Sequence, residues 1–573
     1  MPDYDLIIRN GTVIDGSGAP ARKADVAVRG GRIAAVTENL PGTATEERDA
    51  TGLLVTPGFV DVHTHYDGQA TWDERLWPSS RLGATTVVMG NCGVGFAPCR
   101  PEDRDTLISL MEGVEDIPGT ALAEGLQWNW ESFPDYLDAL ELKSRDIDIA
   151  ALFPHGPLRV YAMGERAVNR EPATDEDIAR MRELLAEGLC AGAMGLATSR
   201  TMIHRTSYGD FIPTYQAADS ELKQLGEALP AAPGTLFQMV SDFEDAESEF
   251  DIVHEIARRT GHKGTFTYLD NSERPGFWDE QAKRLEKARD EGLDIRAQVL
   301  SRPLGMIMGF SASLNPFSAR PGYKALAGLD HDRRMAELRK SEVKDRILRE
   351  DNENPHVFIA GVAHRFDKMF PFEEPLDYMP DPENAVSARA RRENRSPAEW
   401  VYDWLLRDNG HSLIYIPAAN FTDAIPDILR HPLTVSALGD GGAHVGSICD
   451  ASASTYLLTH WVREEAALSL EEGIRMLTRQ PAELYSLLDR GLLAEGMKAD
   501  INIIDFDALN LHLPRIVHDL PAGGRRFLQD ADGFVATLVA GREIYRNGEA
   551  TEALPGALVR GARPDPRPAA PQP

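Results

Sequence analysis

Short β-branched runs separated by turn dipeptides open the chain. Residues 4–36, YDLIIRNGTVIDGSGAPARKADVAVRGGRIAAV, alternate apolar and polar positions between Asn-Gly, Asp-Gly and Gly-Gly pairs, the pattern of antiparallel strands joined by tight turns. The same texture returns in GMKADINIIDFD (496–507) and DGFVATLVAGREIYRNG (532–548), so residues 1–55 and 497–553 are expected to form one small β-domain, a β-sandwich built from both termini. Between them, eight apolar runs alternate with helix-like segments such as TDEDIARMRELLAEGL: LLVTPGFVDVHTH, ATTVVMGNC, DIAALFPHG, AMGLATS, TLFQMVS, TFTYLDN, DIRAQVLSR and LTVSALGDGG. Strand and helix alternating eight times predict an α/β fold, a (β/α)8 TIM-like barrel over 56–496.

The stretch from about 305 to 433, between the seventh and eighth runs, is too long for a barrel connection and reads as an insertion that covers the site. It holds a charged helical run, HDRRMAELRKSEVKDRILRE, and a possible strand, VFIAGVAH. Residues 554–573 end in RGARPDPRPAAPQP and read as a Pro-rich disordered tail.

Composition changes this picture little. Ninety acidic against 60 basic residues give a formal charge of −30, which disfavours nucleic acid and anionic membranes as partners and most plainly serves solubility; a small-molecule substrate is the expected partner. The N-terminal segment lacks a signal-peptide pattern, no run approaches membrane-spanning length, and Cys92, Cys99, Cys190 and Cys449 include no close pair. A reducing cytoplasm is the expected compartment.

Polar residues at the ends of the apolar runs carry the chemistry, because a barrel's site lies at the C-terminal ends of its strands. There His63, His65, Cys92, His155 and Asp440 would gather. Residues i and i+2 of a strand face the same way, so the imidazoles of His63 and His65, in GFVDVHTHYDG, can point at one metal ion; a hydrogen-bonded polar pair is the plainer alternative. Asp440, in SALGDGGAH, can ligate an ion and take a proton, or serve as a helix cap or Asx turn. Cys92, in VVMGNCGVG, is a zinc-ligand candidate or a buried free thiol.

LLVTPGFVDVHTHYDGQATWD, GATTVVMGNCGVGFAPCRP, MEGVEDIPGTAL, WNWESFPDYLDAL, FPHGPLR (153–159) and GMKADINIID together resemble the N-acyl-D-amino-acid deacylase (D-aminoacylase) branch of the amidohydrolase superfamily. The resemblance implies a (β/α)8 barrel, a zinc site and amide hydrolysis. It places the metal-binding His-x-His on His63 and His65, the cysteine ligand on Cys92 and the catalytic aspartate on Asp440. Barrels of this superfamily often assemble, so a homo-oligomer is expected on the same ground.

The sequence departs from the resemblance at strands five and six. The deacylases add a metal-binding histidine on each, the second followed by a lysine that helps hold the substrate carboxylate; here alignment puts Gln238, Tyr268 and Asp270 at those three positions. Gln is a poor zinc ligand and Tyr, with an unperturbed pKa near 10, would have to lose a proton. One divalent ion per chain, zinc foremost, held by His63, His65, Asp440 and Cys92, is therefore expected. Replacement contacts to substrate are sought among His155, Arg200, His204, Arg205, Gln238, Tyr268, Arg302 and His444. The leading expectation is metal-dependent hydrolysis of an amide C–N bond with Asp440 as general base and then acid. The alternatives are a single-metal enzyme acting on a lactone, cyclic amide or C–C bond, and a non-catalytic scaffold.

Overall fold

The computed structural model describes residues 2–271, 274–353 and 357–567. All eight apolar runs form parallel strands: β1 (Phe59–Asp61), β2 (Ala84–Met89), β3 (Asp148–Ala151, continued by Phe153–Pro154), β4 (Gly195–Ser199), β5 (Leu236–Val240), β6 (Lys263–Tyr268), β7 (Ile295–Val299) and β8 (Thr434–Ser436). Between β8 and β1 the ring is linked by backbone bonds beyond the strand ends, Asp440 N–H to His63 O (3.1 Å) and His65 N–H to Gly441 O (2.8 Å). The first and last strands thus deliver their polar ends to the same point.

The helices explain why these strands stay parallel. The helix after β3, Asp175–Ala191, starts at Thr174 with a reciprocal capping box to Asp177 and buries Ile178, Met181, Leu184, Leu185 and Leu189, an i, i+3, i+4 stripe that packs the crossover onto the sheet. Strand side chains alternate accordingly: on β6, Phe266 meets Phe243 and Phe250 while Tyr268 meets Phe277 and Trp278 of the following helix. Both aromatics therefore point out of the barrel, and Thr265 and Thr267 point in.

The terminal strands share one nine-stranded sheet. Leu54–Pro57 pairs in parallel with Tyr4–Val13 and antiparallel with Ile501–Ile504. Alternation places Leu6, Ile8, Val26 and Val28 in one core on this sheet, and Ile7, Ala27 and Leu40 in another.

The insertion after β7 is a subdomain with its own core, a three-stranded antiparallel sheet (Leu304–Met308, Phe370–Phe372, Leu413–Ala419) under helices carrying Met335, Ile347, Val401 and Leu405. It lies against the loop after β8 through Ile307 N–H to Ser447 O (2.7 Å) and Ser313 N–H to Gly446 O (3.2 Å). Within it, HDRRMAELRKSEVKDRILRE forms two helices, His331–Leu338 and Ser341–Arg349. The expected strand VFIAGVAH is instead helical over Val357–Val362; tertiary context overrides β-branched content in so short a run.

The expected Pro-rich tail is corrected over most of its length. Residues 554–567 lace along the barrel: Leu558 and Val559 are buried, Val559 N–H bonds Ile149 O (2.7 Å), and Arg560 pairs with Asp138 and Glu141. Two apolar side chains and an arginine anchor outweigh the prolines around them. The last six residues lie outside those described.

Candidate metal centre at the barrel mouth

His63 and His65 follow β1 and stand with their ring centroids 5.5 Å apart. His63 Nδ1 donates to Gln298 Oε1 of β7 (2.6 Å), which leaves Nε2 as the lone-pair nitrogen, 3.3 Å from Cys92 Sγ and 3.8 Å from Asp440 Oδ1. His65 Nε2 lies 3.9 Å from the same oxygen, while its Nδ1 faces Glu115 Oε1 at 3.1 Å, off the hydrogen-bond direction. The donor atoms of His63, His65 and Cys92 all fall within 4.8 Å of one another. Four ligands around a tetrahedral zinc stand roughly 3.3–3.8 Å apart edge to edge, given bonds of about 2.0–2.3 Å.

The loops that deliver these groups are strained. Cys92 (φ 55°), Asp440 (φ 47°) and His444 (φ 46°) all occupy the left-handed region, which side chains tolerate only where surrounding packing dictates it. Glycines make the room. A Cβ on Gly93 would stand 2.8 Å from Ala197 O, and one on Gly441 would stand 2.3 Å from Ser79 Oγ.

Burial governs the electrostatics. His63 and His65 are 1% and 2% exposed and Glu115 1%; desolvation pushes His63 down to about 4, His204 to about 3 and His444 to about 4, and His65 well below its ordinary value. The same loss of water raises Cys92, Glu115 and Asp440 well above their ordinary values, with neighbouring carboxylates adding to it. Asp440 Oδ1 and Glu115 Oε2 are buried without hydrogen-bond partners. Neutral imidazoles, a thiol and carboxylates with orphaned oxygens converging in a buried pocket make a donor set that a divalent cation fits.

Glu115 escaped the sequence reading. It ends the helix Arg104–Glu115, whose buried apolar positions are Leu107, Leu110, Met111 and Val114; a carboxylate continuing that stripe was the available signal. Its Oε2 lies 3.9 Å from His444 Nε2, so one acid spans two histidines. Gln298 was missed too, because a glutamine inside an apolar run carries no distinctive pattern.

Of the proposed substrate contacts, the structure brings His204, His444 and Gln238 to this centre. His204 is fixed by Ser199 Oγ (2.8 Å) and shares the field of His63 and His444. Gln238 Oε1 accepts from Cys92 N–H (3.3 Å), and its Nε2 is buried and unpaired.

The others go elsewhere. His155 spends both ring nitrogens on Thr198 and Glu221 (2.9 Å each), and Arg159 shares that glutamate. Arg200 pairs with Glu249 and Asp219. Arg205 stacks on Phe211 of its own loop and bonds Gly209 O. Arg302 is buried in an ion pair with Asp450 beneath Tyr378. Tyr268 points outward and hydrogen-bonds Asp270; Thr267, one residue earlier, takes the inward position at the end of β6, its hydroxyl buried and unpaired.

A model of the amidohydrolase family matches residues 46–545 of this chain. The chain belongs to the amidohydrolase family. This amidohydrolase is 29% identical to the N-acyl-D-glutamate deacylase of Alcaligenes xylosoxydans xylosoxydans over 521 residues, 88% of each chain. It is 39% identical to the D-aminoacylase of the same organism, over 195 residues that make up 34% of this chain and 37% of that protein. Among solved structures it is similar to the N-acyl-D-glutamate deacylase from Bordetella bronchiseptica complexed with zinc and a phosphonate inhibitor, with a TM-score of 0.64, 24% identity, and coverage of 97% of this chain and 100% of that one. That likeness establishes the barrel with its β-sandwich.

Proposed function

We propose that this amidohydrolase is a metal-dependent hydrolase that cleaves the amide bond of an N-acylated amino acid. The observation that carries the reading is the convergence of His63 Nε2, His65 Nε2 and Cys92 Sγ with the unpaired Oδ1 of Asp440. These four residues would hold one divalent ion, zinc by the softness of its thiolate and imidazole donors. A bound ion there lowers the pKa of water and polarises a carbonyl.

The chain's own residues do the rest. Asp440 accepts the proton of the attacking water and returns it to the departing nitrogen, general base and then acid. His204 and His444, kept neutral by burial, present N–H donors to the oxygen that gains charge. Gln298 holds the imidazole of His63 in orientation, and Glu115 stands against Nδ1 of His65. Gln238 and Thr267 occupy the inward positions of β5 and β6 with neutral groups, so neither strand presents a histidine there, which supports a single ion. The same neutral wall is what favours a second reading, hydrolysis of a lactone or cyclic amide.

Metal content per chain and a substrate panel test both. One ion per chain, lost in His63→Ala, with turnover of N-acyl-amino acids and none of lactones or cyclic amides, is the expected result; two ions per chain, or turnover confined to the cyclic substrates, would overturn the reading.

A further inference from the structure

Of the arginines that the sequence offers as carboxylate partners, Arg200 and Arg302 are spent on carboxylates and Arg205 is stacked on Phe211 of its own loop, and Asp270 stands where a lysine would serve. Two other arginines are not engaged in that way. Arg525, on the C-terminal hairpin (Arg515–Leu520 and Gly524–Leu528), is half-buried; its side chain makes one hydrogen bond, Nη2 to Ser313 Oγ (3.3 Å), and its Nε is buried without a partner. Arg334, in the insertion helix His331–Leu338, is likewise half-buried; its Nη2 donates to Phe310 O (3.2 Å), and its Nε is also buried and unpartnered. Among the described residues neither forms an ion pair, in a chain with a formal charge of −30. Both act electrostatically on the buried phenol of Tyr323, whose hydroxyl engages Asn315, so two guanidiniums from distant parts of the sequence flank one polar niche. The acid that feels Arg525 is Asp116, itself held by Ser313 and Ser447 and pushed up to about 6 by burial, and the two form no ion pair.

The niche adjoins the metal centre. Ser313 N–H bonds Gly446 O (3.2 Å), Phe527 N–H bonds Val445 O (2.6 Å), and Val445 N–H bonds Glu115 O (3.1 Å). The hairpin residues Arg526 and Phe527 line the same small cavity as Asp440. Arg525 precedes those two residues on the hairpin and forms no ion pair, and such a guanidinium is a ready fork for an incoming carboxylate, because its planar donors match the two oxygens.

We propose that Arg525, supported by Arg334, is the anion-binding part of the substrate site and takes the carboxylate of the N-acylated amino acid. The C-terminal hairpin and the insertion thereby supply the positive charge absent from β6. This rests on the function proposed above, and the test separates the two. The preference of the enzyme is measured as the ratio of kcat/KM for N-acetyl-D-amino acids to that for their carboxamides, which lack the charge. Loss of one charged hydrogen-bonding partner should lower that ratio about tenfold or more in Arg525→Gln and less in Arg334→Gln, with part of it restored in Arg525→Lys. A ratio unchanged within about twofold in Arg525→Gln overturns the proposal. Calorimetric binding of the same acids and carboxamides to the metal-loaded Asp440→Asn protein, with and without Arg525→Gln, supplies the second arm. Absence of turnover in the wild type would refute the proposed function, while a binding preference for the acid that vanishes with Arg525 would still support the subsite, and equal binding of acid and carboxamide would refute it.

Discussion

Replacing Glu115 by glutamine separates the role of this acid at the metal centre from its role in the fold. The side chain is 1% exposed, and burial, with the carboxylates of Asp440 and Asp67 adding to it, pushes its carboxyl well above the ordinary range, toward the neutral form. Glutamine is nearly isosteric with that neutral form, so the metal-free fold should lose little. The loaded protein is different: Glu115 Oε1 stands 3.1 Å from His65 Nδ1 and Oε2 3.9 Å from His444 Nε2, and once an ion supplies positive charge an ionised carboxylate here raises the basicity of its imidazole ligand. Partners of this kind are worth about 10–100-fold in metal affinity, or roughly 1.4–2.7 kcal/mol. Only one of the two histidines is affected, since His63 is held by Gln298, so the lower half of that range is expected. The assay is zinc affinity by competition with a chromophoric chelator, alongside thermal unfolding of the metal-free protein. Zinc affinity unchanged within about threefold would refute the reasoning, as would a metal-free Tm lowered as much as the loaded one.

Two further predictions follow from groups on either side of this centre. Cys92 stays protonated at neutral pH because burial and the nearby Glu115 and Asp440 raise its thiol; binding zinc as the thiolate should release about one proton per ion, and affinity should rise with pH by about one log unit per unit below that pKa. Calorimetry in buffers of different ionisation enthalpy reads the release, and an identical proton count in Cys92→Ser would remove Cys92 from the ligand set. His155→Ala should lower stability by about 2–4 kcal/mol, since it strips a partner from buried Glu221, with metal content unchanged; loss of the ion without loss of Tm would return His155 to the site.

What the sequence discloses here divides by range. The eight strands and the His-x-His pair are legible because they depend on local alternation and on strand ends, and a β-strand's period of two fixes the facing of His63 and His65. The same period makes errors of one residue decisive: aligning Tyr268 with a family histidine selects the outward face, whereas Thr267 is the residue that looks in. The arginines were illegible for another reason. Whether Arg302 is free depends on Asp450, and whether Arg200 is free depends on Glu249, pairings that no local pattern displays. Glu115 lies between these cases, local in its helical stripe and nonlocal in the histidines it meets.

The sheet that joins both ends of the chain imposes an order on biosynthesis. Leu54–Pro57, the strand that leads into the first barrel strand, is flanked on one side by Tyr4–Val13 and on the other by Ile501–Ile504, and Val559 is bonded to Ile149. A ribosome making this protein N-terminus first exposes the strand edge of Leu54–Pro57 that awaits Ile501–Ile504 while more than four hundred residues of the intervening sequence are still to be made. The barrel strands can assemble on the emerging chain, but their support is completed only once Ile501–Ile504 has been made, which gives chaperones a long interval in which that unpaired edge is theirs to shield.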